Sequence, residues 1–224
     1  LTATPNDLGF EYFFGITASL DIPPYFYIEN RNITATMIDS IHGTTGKGFW
    51  RTGPIGNDFR HDEVLTHLTD KAVDYIKKSS EKDNPFFLYF PLPAPHTPIL
   101  PTGSFVGKSE AGTYGDFTLM VDDVVRRVTE VLENTGQADN TMIVFTSDNG
   151  CSPAADIKEL NAIGHDPGCG FRGMKGDLFV GGHRGPFVVE WPRKGVPGSQ
   201  YVQSISLSDL FGTVGELSAT TIID

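Results

Sequence analysis

The 224-residue chain has only two cysteines, Cys151 and Cys169, too few for a disulfide framework and without zinc-ligand pairing, so they leave the redox compartment open. Basic residues are also short. Seventeen Lys and Arg against 28 Asp and Glu give a formal net charge of -11, whereas a nucleic-acid surface needs clustered cations to neutralise phosphates. The same imbalance disfavours general attraction of anionic substrates, so sulfate or phosphate chemistry would need a local cation. No apolar run is long enough to span a bilayer. Leu1 is not an initiator methionine, no signal-peptide pattern is present, and Thr220 to Asp224 follow directly on a helical segment. The expectation is a fragment or processed piece whose targeting cannot be read.

What the chain does have is the composition of a globular domain, 39% hydrophobic over a length that can bury a sizeable core. No internal repeat, low-complexity tract or linker divides it, which predicts one domain over residues 1–224. Residues 1–60, rich in Gly, Pro and aromatics, read as loop-rich with strand-like pieces such as Tyr25 to Ile28. From residue 61 on, helix and strand alternate. Val64, Leu65, Leu68, Ala72, Tyr75 and Ile76 share one face of a helix over Asp62 to Lys78, with Asp62 as N-cap. Asn84-Pro85 ends that pattern, and Phe86 to Phe90 reads as a buried strand. A second amphipathic helix spans Tyr114 to Leu132, with Gly136 as its stop signal. Strands at Met142 to Phe145 and Phe187 to Trp191, and a helix from about Ser208 to Leu217, complete the series. Such alternation predicts an α/β fold whose crossover units feed a largely parallel sheet.

Three segments could carry chemistry. The Met142–Phe145 run reads as a strand covered on both faces, and it leads into Asp148, Asn149 and Gly150. Ligands bind at the carboxyl ends of strands in open α/β sheets, and a carboxylate beside an amide carbonyl offers the hard oxygens that Ca²⁺ or Mg²⁺ prefers. Asp, Asn and Gly are equally the commonest turn formers. After Phe86 to Phe90 comes a stretch with prolines at 91, 93, 95, 98 and 101. Their fixed φ makes a stiff loop, which holds His96 for proton transfer or for hydrogen bonding a leaving group, or else leaves it on the surface of a polyproline-like connector. In Phe171 to Pro186, five glycines interleave with Arg172, Lys175, His183 and Arg184, so that backbone could approach a ligand and cations could clamp an oxyanion. The glycine spacing matches neither a Walker A sequence nor a dinucleotide fingerprint. Cys151 opens a Cys-Ser-Pro-Ala-Ala run like a nucleophile motif, but Ala155 stands where an arginine would be needed, which makes Cys151 structural or incidental. His42, His61, His67 and His165 read as surface or supporting residues.

In this order, Pro-His-Thr-Pro after an aromatic strand, a Thr-Ser-Asp-Asn-Gly strand end, and a Lys-Gly loop continuing into Gly-Gly-His-Arg, the segments resemble the arylsulfatase family of the alkaline phosphatase superfamily. GFEYFFGI, DKAVDYI and SLSDLFGTVGEL extend the resemblance over nearly the whole chain. It implies an α/β/α sandwich around a largely parallel mixed sheet, and hydrolysis of sulfate esters by a formylglycine made from Cys or Ser. It further implies that Asp148 and Asn149 ligate a divalent cation, usually Ca²⁺ with Mg²⁺ as the alternative. His96 would bond the sulfate or the leaving oxygen, and Lys175 would bind the sulfate. The location it implies is periplasmic, secreted or lysosomal.

The family's Cys-x-Pro-x-Arg nucleophile motif, paired N-terminal aspartates, Lys-x-His segment and C-terminal subdomain are not found in these 224 residues. The expectation is therefore an incomplete fold, the middle of a catalytic domain, that binds a small sulfated substrate but does not turn it over alone. Self-association through exposed sheet edges is expected with it. Two rival readings are a phosphate or phosphonate ester hydrolase of the same superfamily and a non-catalytic oxyanion-binding module. Residues 19–30 read as pocket lining because of their aromatics, and Asn32-Ile33-Thr34 is a glycosylation sequon by pattern.

Overall fold

The computed structural model describes residues 3–218, so the terminal stretch from Thr220 to Asp224 lies outside the described residues. The N-terminal part is more ordered than a loop-rich reading predicts. Strands β1 (Phe14–Ile16), β2 (Tyr27–Glu29) and β3 (Asn32–Ile33) form an antiparallel meander with Gly15 opposite Ile28 and Ile28 opposite Ile33. Asn30, at φ 55°, makes the β2–β3 turn in the left-handed region that asparagine tolerates. A second antiparallel pair joins β4 (Ile38–Ile41) to β5 (Gly53–Gly56).

These pieces enclose an aromatic core rather than a pocket. Tyr25 and Tyr27 are fully buried with Leu20, Phe59, Val64 and Leu68, so the rings that suggested pocket lining are interior residues. His61 and His67 are also drawn in, against the surface reading. His61 is only 6% exposed, stacks on Trp50 at 4.2 Å and meets the edges of Tyr25 and Phe59. His67 stacks between Phe14 and Tyr27. Single-sequence periodicity cannot distinguish a histidine inside an aromatic cage from one in water. His42 and His165 are exposed.

Helix α1 (Val64–Ser80) buries Val64, Leu65, Leu68, Thr69, Ala72 and Ile76, the spacing that puts one stripe on the core. Asp62 does not cap it: Glu63 occupies the cap position without a side-chain bond. Lys77 and Lys78 sit in the last turn, where they complement the negative end of the helix dipole. Helix α2 (Gly112–Asn134) is longer at both ends than its periodicity predicts and buries Phe117, Met120, Val121, Val124, Val131 and Leu132. The two helices pack together, and Arg127 of α2 pairs with Asp70 of α1 across the joint.

An extended layer lies on this helix pair. Residues 86–90 alternate in burial, with Phe87 56% and Tyr89 69% exposed, and no hydrogen-bonded strand forms there. The expected buried strand is thus an extended segment covered on one face only, with no ladder partner among the described residues. Strand β6 (Ile143–Thr146) is likewise half-buried instead of covered on both faces. Helices α3 (Ile157–Ala162) and α4 (Val180–His183) are short and lead into β7 (Phe187–Glu190), which pairs antiparallel with β6 so that Val144 faces Val189. Helix α5 (Asp209–Leu217) follows.

The α/β class holds, as does the incompleteness of the sheet. Apart from one isolated parallel bridge between Tyr25 and Ile55, the ladders among the described residues are antiparallel. The predicted parallel relationship survives as direction. Phe86 and Leu88 pack on Ile76, Val131 and Leu132, and Phe90 packs on the next cluster, with Leu65, Phe117 and Val124. Ile143 and Phe145 of β6 take the same two clusters in the same order. Both segments therefore run the same way across α1 and α2, and their carboxyl ends leave on one side. No described helix is long and apolar enough to cross a membrane.

His61 gives this fold an acid sensitivity. Burial lowers its pKa from 6.5 to about 4, and its Nε2 is buried without a hydrogen-bond partner among the described residues. The unfolded histidine takes up its proton near pH 6.5 while the folded one resists until about pH 4, so stability falls as the pH drops through that window. Urea unfolding at neutral pH and at about pH 5 should show His61→Phe removing about 1–2 kcal/mol of the acid-induced loss.

Candidate active site

Asp148 and Asn149 follow immediately on β6, and the glycine-rich loop is fastened to the residues just beyond them. Gly150 N–H donates to Gly182 O at 3.0 Å, and Lys175 N–H donates to Cys151 O at 2.9 Å. Ser147 Oγ donates to Asn149 O at 3.1 Å, which closes the turn around the two candidate ligands. Because β7 is antiparallel to β6, Gly185 at its start returns beside Ser147 at the end of β6. Loop 172–185 thus touches the strand end on both sides of Asp148 and Asn149.

The loop's cations divide into occupied and uncommitted groups. Arg172 lies over the Phe179 ring at 3.6 Å and Arg184 over the Phe171 ring at 4.5 Å, cation–π contacts that hold both guanidinium groups within the loop. Lys175 is half-buried, and among the described residues its ammonium has no ion-pair, hydrogen-bond or ring partner. The side chains of Asp148, which is exposed, and Asn149, which is half-buried, are equally without partners there. Unmatched polar groups of both signs therefore sit around one backbone junction.

His96 stands on the neighbouring loop. Pro98 and Ile99 are buried behind it, Ala94 and Leu92 pack on the cluster that also receives Phe145, and Ile99 N–H donates to Lys47 O at 2.8 Å. The His96 Nδ1 lies 2.7 Å from Thr97 O. A carbonyl can only accept, so this contact assigns the proton to Nδ1 and leaves Nε2 as the outward nitrogen. No hydrogen bond joins His96 to Asp148, Asn149 or Lys175 among the described residues; the shared apolar cluster relates the two loops. Lys47 also reaches Glu159 of α3 at 2.5 Å, a bridge between the His96 side and the region after Asn149 that no sequence pattern signals.

Three or more His, Cys, Asp or Glu side chains suited to a metal ion do not gather anywhere among the described residues. Asp148 and Asn149 offer hard oxygens that nothing else uses, which fits part of a shell for Ca²⁺, an ion that takes 6–8 oxygens. Cys151 lies in a half-buried setting. Its Sγ lies 4.0 Å from the Tyr114 hydroxyl, and burial pushes the pKa of the thiol up. Burial also raises the pKa of Tyr114, so the pair stays neutral. Gly150 and the glycines of the loop are legible as motif residues, but their contact with one another, Gly150 on Gly181 and Gly182, has no signal in the sequence.

The family model described as Sulfatase matches residues 2–219. The N-acetylgalactosamine-6-O-sulfatase of Bacteroides thetaiotaomicron is 30% identical over 96% of this chain and 49% of its own length. The N-acetylgalactosamine-6-sulfatase of Mus musculus is 35% identical over 74% of this chain and 31% of its own. A solved structure from work on glycosaminoglycan metabolism by Bacteroides thetaiotaomicron superposes with TM-score 0.85 at 28% identity, covering 100% of this chain and 54% of the other. The chain thus spans about half the length of that bacterial relative, or less in the mouse case.

Cysteine chemistry follows from the burial difference. Iodoacetamide at neutral pH should alkylate exposed Cys169 well before Cys151, and peptide mass spectrometry over a time course reads the order.

Proposed function

The chain belongs to the sulfatase family and has its alkaline-phosphatase-like α/β fold, and on that premise we propose that it is the central part of a sulfuric ester hydrolase's catalytic domain. The observation that carries this reading is the junction at which loop 172–185 is bonded to the end of β6, with Asp148, Asn149 and Lys175 uncommitted around it. An acidic protein that binds an anion needs fixed positive charge at the point of contact.

In this reading Lys175 binds the sulfate group through its ammonium, and its backbone N–H, tied to Cys151 O, fixes where that side chain starts. Asp148 and Asn149 hold a divalent cation, Ca²⁺ with Mg²⁺ as the alternative. When bound, the cation supplies charge that neutralises the ester's oxygens. His96 presents Nε2 to the sulfate or the leaving oxygen, and in the imidazolium form that nitrogen can donate a proton to the departing group. The proline-stiffened backbone fixes where the His96 side chain starts.

The nucleophile in this reading is a formylglycine supplied by sequence outside these 224 residues, since the Cys151 run has Ala155 where its motif would need an arginine. The relatives named above are called N-acetylgalactosamine 6-sulfatases, which supports a small carbohydrate sulfate as substrate, with an aryl sulfate as the alternative. A periplasmic, secreted or lysosomal location goes with the same family reading. Two oxygen donors fall short of a full cation shell among the described residues, and that incompleteness supports one second reading, an oxyanion-binding module without turnover.

The 224-residue chain should show no calcium-dependent hydrolysis of para-nitrophenyl sulfate. Calorimetric titration with sulfate in the presence of Ca²⁺ should show binding, which Lys175→Ala weakens about tenfold or more, the loss of a charge-assisted hydrogen bond. Turnover by this chain alone would show that it is competent, and sulfate binding indifferent to Lys175 would remove the proposed site. If the complete catalytic domain also binds sulfate without hydrolysing an ester, the binding-module reading replaces the hydrolase.

A further inference from the structure

We propose that Gly150 is a positioning residue whose missing side chain lets loop 172–185 seat on the end of β6, and so sets where Lys175 stands relative to Asp148 and Asn149. The proposal rests on the reading of Lys175 as the sulfate-binding lysine. Gly150 does not take a left-handed conformation, so backbone freedom is not why a glycine is needed. Close approach is. A Cβ on Gly150 would lie 1.8 Å from Gly181 O and 2.9 Å from Gly181 C, against backbone atoms that no rotamer change can move away.

The contact continues in layers. A Cβ on Gly181 would lie 2.3 Å from Gly173 O and 2.8 Å from Arg172 O, and one on Gly182 would lie 2.4 Å from Asp177 O and 2.7 Å from Met174 O. Gly150 therefore rests on α4, and α4 rests on the 172–177 turn that carries Lys175. The Gly150–Gly182 and Lys175–Cys151 backbone bonds clamp the two ends of this stack. Because every layer is backbone on backbone, a displacement at Gly150 is passed on to Lys175 rather than absorbed by side chains. Gly185 differs: its Cβ would lie 2.2 Å from Ser147 Oγ, the end of a small side chain that can be removed, with the Ser147 backbone oxygen farther off at 3.1 Å.

Hydrogen-exchange mass spectrometry and sulfate calorimetry in Ca²⁺ test this on the full 224-residue chain. Gly150→Ala should deprotect peptides covering 172–185 while α1 and α2 keep their protection, and should weaken sulfate binding about tenfold or more. In a Lys175→Ala background the same change should weaken binding by less than about twofold, because it acts through that lysine. Gly212→Ala, at a position with open space around it, should change neither readout. Unchanged protection in Gly150→Ala, or a full additional loss of affinity without Lys175, overturns the proposal. If Lys175→Ala itself leaves sulfate binding intact, the functional reading fails, and exchange alone decides the steric lock. Should Gly150→Ala not fold, Gly185→Ala should loosen the same loop and Ser147→Ala should restore part of the exchange protection of 172–185, Ser147 O remaining close; no recovery at all overturns the steric account.

Discussion

Leu65 from α1 meets Phe117, Met120, Val121 and Val124 from α2 in one buried cluster, and the extended layer lies on that cluster through Phe90 and Phe145. The site depends on this contact. Phe90 is the last residue before the proline loop that holds His96, and Phe145 comes three residues before Asp148. Burying both rings on one helix pair fixes where two loops emerge, although they are far apart in sequence and share no hydrogen bond. Removing apolar rings from water is non-directional, so it specifies proximity and leaves finer placement to the loops themselves.

That finer placement comes from backbone. Prolines stiffen the His96 loop, and Pro98 and Ile99 bury its far end. The other loop uses the opposite device, glycines that allow main chain to lie on main chain, with two backbone bonds as fasteners. Its arginines fold onto the loop's own phenylalanines, whereas the Lys175 ammonium has no partner among the described residues. In a chain with net charge -11 this leaves one uncommitted positive group beside the end of β6.

The readings that missed did so for physical reasons. Phe86 to Phe90 is apolar enough for a strand covered on both faces, yet a strand also needs hydrogen-bonding neighbours, and apolar composition does not say whether they are present. Tyr25 and Tyr27 looked like pocket lining because exposed and interior aromatics have the same composition. His61 was invisible for the same reason: the cage of Trp50, Tyr25 and Phe59 is assembled from segments up to 36 positions apart, counting from Tyr25 to His61. The Lys47–Glu159 bridge spans 112 positions and has no local signature.

The sequence by itself determined the alternation of helix and extended segment, the two apolar helix stripes, and the ordered motifs that carry the family resemblance, because these depend on periodicity and on residue types close together in the chain. Tertiary structure alone decided that 86–90 and β6 run the same way, that His61 is interior, and that Gly150 presses on α4 so as to hold the Lys175 turn against the strand end. Those outcomes depend on which surfaces meet. Contact between distant segments is set by the whole packing of the chain and leaves no periodic trace in any one stretch of it.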